Sequence, residues 1–100
     1  MKLENIVLDK TKPESDVIVL EPGTNYISMH GKLPSDADVW IQLDNVGLGS
    51  VKLLIPHVDF NQNLFESLQQ HKRFFASIQF SSNSVVNGNS YVITVKHGII

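Results

Sequence analysis

A chain of 100 residues with 42% apolar and 18% charged side chains has room for one domain and one core. It contains no cysteine, which excludes disulfides, thiolate metal ligands and cysteine nucleophiles, and no apolar run long enough to cross a bilayer as a helix. The net charge of −2 is unevenly spread: residues 1–50 hold four lysines against eight carboxylates and residues 51–100 four cations against two, and the single arginine is a poor endowment for gripping phosphate.

Met1–Asp9 sets acidic residues beside a short apolar run, unlike a secretory signal, so a soluble, cytoplasmic protein is expected. Ile6-Val7-Leu8 suits an edge strand or pairing with another subunit. Asp9–Asp16 is polar and contains Pro13, so it reads as a flexible connector. Residues 1–16 are then an N-terminal segment and 17–97 the folded body of a single domain spanning 1–100. Val17-Ile18-Val19-Leu20 is a continuous β-branched run that predicts a buried strand, with Val17 and Val19 in the core. Pro22-Gly23 ends it in a turn that wants a positive φ at the glycine.

Tyr26–Leu33 alternates, with Ile27, Met29 and Leu33 on one side and Tyr26, Ser28, His30 and Lys32 on the other. Gly31 within it reads as a bulge or bend. Pro34-Ser35-Asp36 turns the chain. Val39, Ile41 and Leu43 then face inward, opposite Trp40, Gln42 and Asp44. A glycine-rich link over 45–49 leads to Val51, Leu53 and Ile55, with Lys52 and Leu54 on the other side. Pro56 stops that strand.

Phe60–Phe75 predicts the one helix. Asn61 supplies a cap, Phe60 and Phe65 a hydrophobic staple, and Leu64, Phe65 and Leu68 a narrow apolar face. His71, Lys72 and Arg73 suit its carbonyl end. Beyond it Phe74, Ala76, Ile78 and Phe80 alternate with polar residues and with Phe75. Asn87-Gly88 signals a hairpin, and Tyr91, Ile93 and Val95 form the last strand's inner face.

Three strands, a helix and two more strands, with an extra strand in front and Gly31 in the first long strand, give an order that resembles the OB-fold over residues 17–97. The resemblance implies a mainly β, small five- to six-stranded antiparallel barrel with one α-helix between strands 3 and 4. The alternative is an open α+β sheet with one helix on its face.

Signals for catalysis fail in turn. There is no phosphate-binding glycine loop, and Gly47-Leu48-Gly49 lacks the third glycine and the following helix of a dinucleotide site. No paired-histidine zinc motif and no nucleophile elbow occur. His30, His57, His71 and His97 are scattered over four elements, and Asp36 and Asp38 fit a turn at least as well as an acid/base pair. No catalytic residues, metal or small-molecule cofactor are expected.

The set that points outward is Tyr26, His30, Lys32, Trp40, Gln42 and Lys52, on the side where OB-folds hold ligands. Trp40 is either packed beneath the helix or the N-terminal strand, as most tryptophans are, or an exposed contact residue. Asp36, Asp38 and Asp44 flank it and repel a phosphate backbone. The expectation is therefore a non-enzymatic binding module acting by protein–protein contact, as an adaptor, inhibitor or assembly subunit, with self-association open to it. The alternative is single-stranded nucleic-acid binding on the outer face of strands 1–3. There Trp40 and Tyr26 would stack bases, and Lys32 and Lys52 would neutralise phosphate.

Overall fold

The computed structural model describes residues 1–32, 38–47, 49–55, 59–63, 71–81 and 90–100. The alternating stretches are strands: β1 (Lys2–Leu8), β2 (Ile18–Leu20), β3 (Tyr26–Gly31), β4 (Val39–Val46), β5 (Gly49–Ile55), β6 (Asp59–Asn63), β7 (Phe74–Phe80) and β8 (Tyr91–Gly98). They form two four-stranded antiparallel sheets, ordered β1-β8-β3-β6 and β2-β7-β4-β5. Every link except the β4–β5 hairpin passes from one sheet to the other, the double-sheet arrangement of a jelly roll.

One core fills the space between the sheets. Leu8, Ile27, Met29, Ile93 and Val95 come from the first sheet; Ile18, Leu20, Val39, Ile41, Leu43, Phe74, Ala76 and Ile78 come from the second. The inward alternation predicted for β3, β4, β7 and β8 holds. Only three residues, 56–58, join β5 to β6, a reach comparable to the ~10 Å between packed sheets. These two edge strands therefore share one flank of the sandwich, and β1 and β2 share the other.

Two architectural expectations are overturned. There is no closed barrel, because each sheet ends in two edge strands. Nor is there a helix among the described residues: Asp59–Asn63 is strand, and Leu64, Phe65 and Leu68 lie outside them. Met29 lies opposite Phe60, and Ser28 opposite Asn61, in a continuous β3–β6 register. A cap and a staple are worth about 1 kcal/mol, less than a whole ladder of backbone bonds together with the packing of Phe60 against the core. The stretch expected as helix thus begins as strand, and two four-stranded sheets stand where a helix-bearing barrel is expected. The hairpin signal at Asn87-Gly88 and the turn at Pro34–Asp36 also lie outside the described residues.

In β2 the predicted phase is reversed. Ile18 and Leu20 are buried, whereas Val17 and Val19 are exposed. Pairing decides this, because Ile18 lies opposite inward Ala76 and Leu20 opposite inward Phe74. Leu53, expected inside, is also exposed, at 37%.

The connector is not loose. Asp9 Oδ1 accepts hydrogen bonds from Thr11 N–H (2.9 Å), Thr11 Oγ1 (2.7 Å) and Lys12 N–H (2.8 Å), which winds the chain into a turn. Further on, Ser15 N–H donates to the Ile78 carbonyl at 2.7 Å, Ser15 Oγ accepts from Ile78 N–H at 2.9 Å, and Phe80 N–H donates to the Pro13 carbonyl at 3.0 Å. These bonds continue the β2 edge along β7. Gly23 adopts φ +86°, as its turn demands, and Thr24 N–H closes that turn on the Glu21 carbonyl at 3.1 Å. Gly31 is not a corner. It ends β3, where a Cβ would lie 2.8 Å from the Val92 carbonyl oxygen, so its bareness lets β8 come close.

Candidate functional site

The six residues expected to form one patch point outward, but on two different sheets. Trp40, Gln42 and Lys52 stand on the outer face of the β2-β7-β4-β5 sheet. Tyr26 and His30 stand on the outer face of the other sheet, and Lys32 lies exposed just past its β3 strand. A jelly roll puts these faces back to back, so no single planar ligand spans Trp40 and Tyr26.

Trp40 is half-buried, as a residue on a solvated sheet face with long neighbours must be. The Lys52 ammonium sits 5.0 Å from the centre of its ring, and Gln79 lies opposite it on β7. Pro13, Glu14 and Phe80 complete a groove of about 330 Å³ beside it. Gln42 is held by Asp44, its Nε2 donating to Oδ1 at 2.8 Å. The indole already has a cation of its own chain against it, so a stacking base would have to displace Lys52.

On the opposite sheet, Asn5, Thr94, His30 and Asp59 form one row across all four strands. His30 Nδ1 and Asp59 Oδ1 are 2.7 Å apart, with both side chains well exposed. Thr94 is the neighbour of His30 on β8, but its hydroxyl donates to Asn5 Oδ1 at 3.1 Å. The proton is thus directed away from the imidazole, so Thr94 and His30 do not form a nucleophile–base pair. Among the described residues no three His, Asp or Glu side chains gather in a way that could hold a metal ion. His57 and Asp36 lie outside those residues.

His97 is buried at one end of the core, with Nε2 3.5 Å from Glu4 Oε1. Arg73, the sole arginine, meets Glu21 at 3.3 Å.

The most extensive exposed apolar feature of the two edges is the β1/β2 flank; on the other flank β5 exposes Leu53 and Leu54, at 37% and 43%. On β1, Ile6 and Leu8 turn inward, yet Leu3 and Val7 also stand on the outer face, where a solvated sheet carries polar residues. Leu3 is 65% exposed, Val7 48% and its β8 neighbour Val92 51%; across the flank Val17 is 62% and Val19 42% exposed. A stretch such as Ile6-Val7-Leu8, apolar on both faces, is suited to being covered on both. The sequence carried this signal in Ile6-Val7-Leu8 and in 17–20, because consecutive apolar residues in a strand must load both faces. No helix among the described residues is long and apolar enough to cross a membrane. No protein-family model, no curated protein and no solved structure matches the chain.

Proposed function

We propose that the protein is a non-enzymatic binding module that works by protein–protein contact, as an adaptor, inhibitor or assembly subunit. The β1/β2 flank is its contact surface. One observation carries this reading: the two edge strands of one flank both expose apolar side chains, Leu3 and Val7 with neighbouring Val92 on the outer face of one sheet, and Val19 with the preceding Val17 on that of the other. Burying such surface yields about 25 cal/mol per Å² and depends little on salt. Trp40 and Tyr26 lie on opposite sheets and take no joint part in it.

The test is site-specific photo-crosslinking in the protein's native cells. A photoreactive side chain at Leu3 or Val19 is expected to give discrete protein adducts. One at Ser50, exposed on the opposite flank, should give none. Nucleic-acid adducts, or equal labelling from both flanks, would overturn the reading. Single-stranded nucleic-acid binding predicts instead an affinity that falls steeply between about 50 and about 500 mM salt.

A further inference from the structure

The contact flank carries enough geometry to name the partner. We propose that the partner is a second copy of this chain, joined edge to edge through β1 with Asn5 on a two-fold axis. This rests on the protein-contact reading above and adds the partner and the register.

Of the two strands on that flank, β2 has three residues, whereas β1 has seven in unbroken register with β8, from Lys2 opposite His97 to Leu8 opposite Tyr91. Its other edge pairs with no described strand. It contains no proline and no bulge, and its charged residues, Lys2 and Glu4, are confined to the inward side with Ile6, while residues of the 9–16 connector border a groove beside Asn5–Val7.

A two-fold antiparallel pairing keeps each residue on its own face and is fixed by the residue on the axis. Centring on Glu4 sets two carboxylates against each other. Centring on Leu3 or Ile6 shortens the ladder. Centring on Asn5 uses the whole of β1 and opposes no like charges. It places Leu3 beside the partner's Val7 twice over, an apolar pair on the outer face at each end.

The central residue fits its place. Asn5 Oδ1 accepts from the Thr94 hydroxyl at 3.1 Å, and its Nδ2 has no partner among the described residues. On the axis each Nδ2 donates to the other copy's Oδ1, which has a second lone pair free. The row Asn5–Thr94–His30–Asp59 then runs on into its two-fold-related row, and two four-stranded sheets become one continuous sheet. Leu3, Val7 and Val92 of both copies meet in one strip, with Val17 and Val19 on the flank below.

The cysteine-free chain allows a clean test of register. Opposed Cα atoms in an antiparallel pair are about 4.5–5.5 Å apart, within disulfide range. Asn5→Cys alone should therefore give a disulfide-linked dimer on mild oxidation. Leu3→Cys alone and Val7→Cys alone should not, because each would sit about 13 Å from its own copy; mixed together, they should cross-link. In sedimentation, Val7→Lys should raise the half-dimerisation concentration about tenfold or more, and the Lys52→Ala control should leave it unchanged. A protein that stays monomeric at about 100 μM, when interfaces of ordinary size form at micromolar or below, overturns the inference. So does a dimer that Asn5→Cys fails to cross-link. In either case, Leu3 photo-adducts heavier or lighter than two copies would leave the protein-contact reading standing.

Discussion

Ser15 and Ser28 are both buried, 8% and 1% exposed, and truncating each to alanine should move stability in opposite directions. Ser15 Oγ accepts the Ile78 N–H at 2.9 Å in a buried setting. Ser15→Ala removes that acceptor and leaves a strand N–H unpaired, a cost of about 1–3 kcal/mol. Ser28 Oγ is buried without a hydrogen-bond partner among the described residues. Its desolvation is uncompensated, at about 1–3 kcal/mol, and Ser28→Ala removes the penalty while opening a void smaller than a methyl group. A net gain of about 1 kcal/mol is expected, so the two variants should differ by about 2–4 kcal/mol. That is a large share of the 5–15 kcal/mol typical of a domain. Urea unfolding followed by the fluorescence of Trp40, the only tryptophan, reads this directly. With a slope of about 1–1.5 kcal/mol per M, the midpoints should separate by about 2 M, Ser28→Ala lying above the parent and Ser15→Ala below it. If Ser28→Ala destabilised by more than about 1 kcal/mol, the hydroxyl would have to have a partner and the reasoning would fail.

Asp9 offers a titration test. The Thr11 hydroxyl bond, and after it the backbone N–H bond from Lys12, hold its carboxyl below the ordinary aspartate range. A folded-state value below the unfolded one means the stabilisation is present above the unfolded pKa and is lost as pH falls through the folded one. NMR titration of the Asp9 carboxyl carbon should show a midpoint below 3.8, and Thr11→Val should move it upward; an unmoved midpoint would refute the assignment. Lys52→Ala removes the cation 5.0 Å from the Trp40 ring. It should cost at most about 1 kcal/mol, as exposed cation–π contacts do, while making Trp40 markedly easier to quench with acrylamide. Quenching identical to the parent's would show that Lys52 does not shield the indole.

Strict alternation was readable from the residues alone. Val39/Ile41/Leu43, Phe74/Ala76/Ile78/Phe80 and Ile93/Val95 face the core as their period of two requires. The run 17–20 was not readable in phase, since four apolar residues in a row contain no alternation. Only the partners Ala76 and Phe74, far along the chain, decide that Ile18 and Leu20 turn inward. Local signals misled at 59–63, where a cap residue and spaced aromatics mimic a helix start while β3 offers a ladder. The outward direction of Tyr26, His30, Trp40, Gln42 and Lys52 was legible, but membership of one sheet or the other was not. Sheet membership is set by which strands meet after the chain has crossed the core, and no window of neighbouring residues records that.

The position of β8 in its sheet bears on how the molecule assembles in time. It lies between β1 and β3, and its contact with β1 joins groups as far apart as Asn5 and Thr94, 89 positions along the chain. While a ribosome is still making the middle of the protein, β1 has no neighbour to pair with, and it carries apolar residues on both faces, Ile6 and Leu8 on one and Leu3 and Val7 on the other. Such long-range pairing is slow to form, because loop closure must precede the contacts that reward it. Until residues 91–98 arrive, the most adhesive strand of the chain is also the least protected. Nascent chains side by side on one message are the nearest source of a complementary edge.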